Sequence, residues 1–214
     1  MSIADFEDIS NIVQLLVSLA VTGFLLLSMR HSKCPNVTFY VAIGCCSMTL
    51  GDLYWQVHIL LYQDSPAVLS ASDIAWLGEY FFYMAAHFRL FPEREPVRPP
   101  LWVYAFPALV VANCVWWIVV WGDVVWNVLW GISMSAIALC VSMGLFRIRQ
   151  DSALRCYRPL YVAWGIWLLC QLVQFISGGW LYPVMDLLQA AAIVGIAMST
   201  FYAGRKGDEA HDRR

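Results

Sequence analysis

The sequence predicts an all-α integral membrane protein, a bundle of seven transmembrane helices. Of its 214 residues, 61% are apolar and 13% are charged, whereas soluble domains average about 25% charged residues. Apolar runs of about 20 residues recur along the whole chain, and this is the length that an α-helix needs to cross a bilayer. The strands of a membrane barrel are only about 10 residues long and alternate in polarity, so they do not fit these runs.

Seven spans set the expected domain organisation. Residues 1–10 are expected to form an extracytoplasmic N-terminus, residues 11–203 a single seven-helix domain and residues 204–214 a charged cytoplasmic tail. The expected spans are Asn11–Met29, Asn36–Tyr62, Leu69–Phe91, Leu101–Trp121, Val124–Phe146, Tyr157–Ser177 and Leu181–Ala203.

The basic residues predict the orientation. All 13 Lys and Arg residues lie in the first, third and fifth connections, at the span ends next to them, or in the tail, and the other connections contain none. Under the positive-inside rule, this places the N-terminus outside and the C-terminus in the cytoplasm of a bacterial inner membrane. The acidic start of the chain lacks the basic segment of a signal peptide, so we expect the first span to be retained.

The first two spans differ in polarity. The first span carries only mildly polar residues, such as Asn11 and Gln14, and is expected to serve packing and anchoring. The inner half of the second span is rich in small residues, which permit close approach of helices. Its outer half carries Asp52 and Gln56, which are four residues apart and share a face, whereas His58 points elsewhere.

Ionisable residues in the third span have different expected roles. Ser70 or Ser72 is a candidate N-cap, and Asp73 would then lie in the first turn, near the positive end of the helix dipole. Glu79 lies six residues further along, about 9 Å deeper in the membrane. An ionisable residue at that depth indicates a functional site. His87 is expected at the cytoplasmic interface, outside the site.

Polar residues of the last spans lie at the same expected depth as those of the second and third. Gln171 and Gln174 occupy the outer half of the sixth span, and Asp186 and Gln189 share a face of the seventh. Tryptophans around the fourth connection suit an aromatic belt at the membrane interface, although Trp130 lies a turn deeper and is a candidate cavity residue.

These depths predict a polar cavity, open to the outside and formed by spans two, three, six and seven, because polar groups facing lipid would cost several kcal/mol in total. The cavity has no Lys or Arg, so either some carboxyl groups are protonated or a cation occupies it. Aromatic faces attract organic ammonium groups. The candidate ligand-binding residues are Asp52, Gln56, His58, Asp73, Glu79, Gln171, Gln174, Asp186, Gln189, Tyr54, Trp55, Trp76, Tyr80 and Trp130.

Other chemistries lack support in the sequence. No span contains the lysine that a retinal Schiff base requires, and His58 and His87 lie at opposite depths, so no metal site is expected. No nucleophile elbow or Walker motif is present. We therefore expect no cofactor, no metal and no nucleic-acid partner.

Part of the polar stretch resembles the lysoplasmalogenase-like membrane hydrolases. The resemblance rests on Leu50-Gly-Asp52 and on the segment from Gly78 to His87. It implies an intramembrane hydrolase of lipid vinyl ethers that uses paired acids, with Asp52, Glu79 and Asp186 as the candidate catalytic residues. Where that family often has a second acid, this chain has Cys170-Gln171.

The same stretch is also similar to membrane sensor regions that precede cyclase or kinase domains in bacteria. The similarity lies in Gly51-Asp-Leu-Tyr-Trp55 and in Ser70-Ala-Ser-Asp-Ile-Ala-Trp-Leu-Gly-Glu-Tyr80. It implies a ligand-binding or sensor-type module that signals through a cytoplasmic or membrane protein partner.

Three classes of function remain open on the sequence alone. A ligand-binding or sensor-type module for a cationic or amphiphilic small molecule is favoured, because it accounts for the acidic, aromatic outer half. The alternatives are the lipid hydrolase and a small transporter or subunit of a membrane complex. In each case membrane lipids are expected partners.

Overall fold

A computed structural model describes residues 3–91, 98–176 and 179–206 of the protein. Within these ranges the chain forms seven long α-helices and no β-strand, which confirms the predicted helical class. Residues 92–97, in the third connection, and the part of the expected cytoplasmic tail beyond Lys206 lie outside the described residues.

The helices follow the expected spans closely. α1 begins at Ile3 rather than at Asn11, so part of the expected N-terminal segment is helical, and α5 and α7 extend beyond their expected ends. Short 3-10 turns precede α2, α4 and α6. The seven helices are α1 (Ile3–Ser28), α2 (Pro35–Tyr62), α3 (Ala71–Leu90), α4 (Ala105–Trp121), α5 (Val124–Gln150), α6 (Arg158–Ile176) and α7 (Leu181–Lys206).

Local sequence signals explain several helix ends. α2 begins at Pro35. Amide groups in the first turn of a helix have no intrahelical acceptor, so a proline there costs no hydrogen bond. α3 begins at a capping box, in which the Ser70 amide donates to Asp73 Oδ2 at 2.9 Å. α4 ends at Gly122, whose φ of +81° suits glycine. The helix starts and stops are therefore encoded within a few residues.

Six helices form a closed ring, and α4 lies outside it. Around the ring, α1 contacts α2, α2 contacts α3, α3 contacts α5, α5 contacts α6, α6 contacts α7, and α7 returns to α1. α2 also contacts α7 across the ring, whereas α4 packs mainly against α5. We call the end of the ring where α1 begins the acidic end, and the opposite end, where α1 finishes, the basic end.

The surface and length of the helices identify a multi-pass membrane protein. Five helices of the described chain, α1, α2, α4, α5 and α7, are long and apolar enough to cross a membrane. Large apolar side chains cover their outer faces, including Leu60, which is 79% exposed, and Val119, which is 75% exposed. α3 and α6 are not among these five, and each carries buried polar residues, such as Glu79 in α3 and Gln171 in α6.

Glycines allow α2 and α3 to pack closely. A Cβ atom added at Gly44 would lie 2.6 Å from the Tyr83 ring, and one at Gly51 would lie 2.5 Å from the Trp76 indole. Both distances are too short for any real contact. Each glycine of α2 therefore makes room for one aromatic side chain of α3, as expected for a helix rich in small residues.

Aromatic rings fill the middle of the bundle. Tyr80 packs against Trp130 and Trp167 with centroid distances of 5.3 Å, and Tyr83 packs against Trp164 and Trp167. These separations are typical of favourable aromatic pairs. This layer separates the acidic end of the ring from the basic end.

His87 lies in the last turn of α3, at the basic end and away from the cavity. Only 6% of it is exposed. Its Nδ1 atom lies 2.7 Å from the Tyr161 hydroxyl of α6. A hydrogen-bond partner on a neighbouring helix lets the imidazole be buried.

We predict that Gly44→Ala destabilises the fold by about 1–3 kcal/mol, because the fully buried Tyr83 ring must shift to admit a methyl group. Gly23→Ala is the matched control, since nothing lies within 4 Å of a Cβ there. It should leave stability unchanged or raise it by up to about 1 kcal/mol through helix propensity. Thermal unfolding in detergent measures both, and equal behaviour of the two variants would contradict the close-packing account.

Candidate functional site

A cavity of about 280 Å³ lies within the acidic end of the ring. Its volume is near the lower limit for pockets that take small molecules. All six ring helices contribute to its lining, and α4 contributes nothing among the described residues. Pro66 and Val68 of the α2–α3 connection complete it. The cavity is therefore a product of ring closure rather than of any single pair of helices.

Most residues predicted from the sequence meet in this cavity. They come from α2, α3, α5, α6 and α7, and they include every glutamine that was singled out. The predicted residues that line it are Asp52, Trp55, Gln56, Asp73, Trp76, Trp130, Gln171, Gln174, Asp186 and Gln189.

Tyr54 and His58 lie outside the cavity, on the outer face of α2. The His58 ring lies 5.9 Å from the Tyr54 ring and 4.7 Å from the Tyr62 ring. Residues spaced by four share one helical face, and this face is turned away from the one that carries Asp52. Tyr54 is accordingly 39% exposed.

Glu79 and Tyr80 lie deeper than the cavity, in the aromatic middle of the bundle. Glu79 is 1% exposed, and the hydroxyl of Tyr83, one turn further along α3, lies 3.4 Å from Cys45 Sγ. Tyr80 is fully buried against Trp130 and Trp167. The structure thus separates Glu79 from the carboxyl groups that line the cavity.

The first helix contributes more to the site than the sequence suggested. Asn11 and Gln14 line the cavity. The signal for this face was present in the sequence, because the buried polar residues Ser10, Gln14, Ser18 and Thr22 recur at intervals of four. Two aromatic lining residues, Trp126 and Tyr182, were also missed.

Asp186 is held by neutral donors from two helices. The Ser10 hydroxyl of α1 donates to Asp186 Oδ2 at 2.9 Å, and the Gln174 amide of α6 donates to Oδ1. Each carboxylate oxygen therefore has a donor although Asp186 is only 1% exposed. Buried carboxyl groups require such partners, and here they tie α1 and α6 to α7.

Asp52 is only partly satisfied. The Trp76 indole donates to Asp52 Oδ1 at 2.9 Å, and this approach is possible because Gly51 has no side chain. The second oxygen, Oδ2, is buried and has no hydrogen-bond partner among the described residues. The nearby Ser18 hydroxyl donates to the Leu15 carbonyl of its own helix.

Asp73 has a structural role at the rim. Its carboxylate accepts hydrogen bonds from the amide and the hydroxyl of Ser70, and it lies in the first turn of α3, where the helix dipole favours a negative charge. This confirms Ser70 as the N-cap that the sequence suggested as one of two candidates.

The electrostatics of the cavity are one-sided. Three carboxyl groups line it, and none of its described lining residues is Lys, Arg or His. Asp52 and Asp186 are close enough to interact electrostatically. Aromatic pairs form parts of the wall, with Trp55 and Trp76 at 5.6 Å and Trp126 and Trp130 at 5.3 Å between ring centroids. A cation with an apolar body would complement this lining.

No family model matches the chain, and neither a curated protein nor a solved structure matches it. The site is therefore interpreted from its geometry alone. In the described part of the chain no group of three or more His, Cys, Asp and Glu side chains is arranged to hold a metal ion.

We predict that Ser10→Ala lowers the free energy of unfolding by roughly 1 kcal/mol, because it leaves Asp186 Oδ2 without its donor. Ser28→Ala is the matched control, since the Ser28 hydroxyl bonds only to the Leu25 carbonyl within α1 and its removal should have little effect. Unfolding by denaturant titration in detergent measures the difference. A Ser10 variant as stable as the Ser28 variant would refute the inter-helix role.

Proposed function

We propose that the protein is a ligand-binding or sensor-type module of a bacterial inner membrane whose cavity takes a cationic or amphiphilic small molecule. The observation that carries this proposal is the buried Asp52 oxygen, which has no hydrogen-bond partner among the described residues. It lies in an acidic cavity that has aromatic walls and no basic residue in its described lining. An uncompensated acid in such a site is stabilised by a ligand that brings positive charge.

The proposal includes a topology in which all seven helices cross the membrane, with the N-terminus outside. α3 has 20 residues, which at 1.5 Å per residue is about 30 Å, enough for the hydrocarbon core. The polar side chains of α3 lower its hydropathy. They face the interior of the ring, so they are not exposed to lipid. The cavity then opens toward the outside, and the basic end faces the cytoplasm and a signalling partner.

Cysteine labelling tests the orientation. Ser65 is exposed in the connection at the acidic end, whereas the partly exposed Cys34 and Cys156 lie at the basic end. A membrane-impermeant maleimide should label Ser65→Cys in intact cells with a permeabilised outer membrane, and it should label Cys34 and Cys156 only after lysis. The reverse pattern would overturn the proposed orientation.

We predict that the purified protein binds phenethylammonium and that Asp52→Asn weakens this binding tenfold or more, because the amide removes the charge that faces the ligand. This amine is soluble in water, so that its partition into detergent micelles is limited. Isothermal titration calorimetry gives the dissociation constants.

Asp64→Asn is the matched control, since Asp64 is exposed in the α2–α3 connection at the same end and bonds only to the amide of Ser65. Its binding should equal that of the unmodified protein. Equal losses in both variants would indicate a general effect of surface charge, and unchanged binding in Asp52→Asn would exclude the cavity as the binding site.

The lysoplasmalogenase-like hydrolase remains a second candidate, favoured by one observation. Asp52 and Asp186 line the same cavity, and paired acids can share acid and base roles in hydrolysis. Glu79, the third candidate acid, lies below the cavity. Release of an aldehyde from a vinyl-ether lysophospholipid, lost in Asp52→Asn, would favour this candidate over simple binding.

A further inference from the structure

The acceptor oxygens of the cavity, more than its charge, define the kind of cation that fits. Three residues that line it have a buried side-chain oxygen without a hydrogen-bond partner in the described part of the chain: Gln14 Oε1, Asp52 Oδ2 and Gln189 Oε1. Each of these residues is at least nine-tenths buried. Buried acceptors are normally satisfied, so the lining is incomplete by itself.

The three acceptors belong to helices that all contact one another. α1 contacts α2 and α7, and α2 contacts α7. The hydrogen bond between Ser10 and Asp186 aligns α1 with α7, and Gln14 and Gln189 each lie about one helical turn deeper than that bond. Ser18 lies one turn below Gln14, and Ser18 and Asp186 both lie close to Asp52. The acceptors therefore cluster on one side of the cavity.

The other carboxylates of the cavity are already served by donors from the protein. Both oxygens of Asp186 accept hydrogen bonds from Ser10 and Gln174, and Asp73 accepts from Ser70 in the capping box. Asp52 is left as the one lining carboxylate with a buried oxygen that is unsatisfied within the described residues. A single cationic group that has N–H donors would satisfy this oxygen.

The number of N–H donors distinguishes the classes of organic cation. A quaternary ammonium group has no N–H and interacts with carboxylates and aromatic faces through charge alone. A primary ammonium group has three N–H donors, which equals the number of unsatisfied oxygens. Hydrogen bonds to charged groups are the stronger ones, so the difference between the two classes should be large.

We infer that the cavity selects primary ammonium ligands over quaternary ones, with the ammonium group between Gln14, Asp52 and Gln189 and the apolar body against the tryptophan walls. This inference rests on the proposed ligand-binding function and names the ligand class for the same cavity. The carboxylate of Asp52 supplies the negative charge. The amide oxygens of Gln14 and Gln189 discriminate between primary and quaternary ammonium groups.

Two probes with the same skeleton and charge test the inference on the unmodified protein. Calorimetry should show that phenethylammonium binds at least tenfold more tightly than its N,N,N-trimethyl analogue. Equal binding of the two, lost in Asp52→Asn, would overturn the inference while leaving the proposed function intact. Binding of neither probe would overturn both.

A variant of the discriminating amide gives an independent readout. Gln189→Met keeps the size of the side chain and removes the acceptor oxygen, so it should weaken phenethylammonium binding about threefold to tenfold and leave the trimethyl analogue unchanged. Gln63→Met, in the exposed connection after α2, should change neither. A loss for both probes in Gln189→Met would assign Gln189 to the shape of the cavity and contradict its role as an acceptor.

Discussion

Polar side chains within the thickness of a bilayer must contact protein or water, because lipid tails offer them no partner, and the packing order of this bundle follows from that constraint. α2, α3 and α7 carry buried ionisable residues, and all three belong to the ring. α4 has no Asp, Glu, Lys, Arg or His within its bounds, and it lies outside the ring. The helices with buried ionisable residues are thus packed where those residues face the interior.

Close packing of α2 and α3 gives Asp52 its donor. Gly51 lets the Trp76 indole reach Asp52. One level deeper, Gly44 accommodates the ring of Tyr83, whose hydroxyl lies 3.4 Å from Cys45 Sγ of α2. In both places a glycine of α2 admits an aromatic residue of α3, and that residue makes a polar contact with α2.

The three carboxyl groups of the cavity are chemically different in spite of their common location. Asp73 completes a helix cap, Asp186 accepts from donors of α1 and α6, and Asp52 has a buried oxygen with no hydrogen-bond partner among the described residues. A count of acids therefore overstates the number of free carboxylate oxygens that the protein leaves for a ligand. The arrangement suits a single cationic group, and the aromatic walls suit the apolar body attached to it.

The sequence by itself determined the helical class and the approximate bounds of the seven helices. These features depend on the length of apolar runs and on helix-end signals, which are local. It could not determine how each helix is rotated about its axis, because the inward face depends on the neighbouring helices. Tyr54 and His58 were therefore placed in the cavity, and the polar face of α1 was overlooked.

Only the tertiary structure decided which donors each acid receives. Ser10 and Asp186 are 176 residues apart in the chain, and Asp52 and Trp76 are 24 apart. Glu79 was predicted to share the cavity from its depth alone, but it is 1% exposed in the aromatic middle of the bundle and does not line the cavity. Partners as distant in the chain as Ser10 and Asp186 meet only when the ring closes, because ring closure fixes the faces that the helices present to one another.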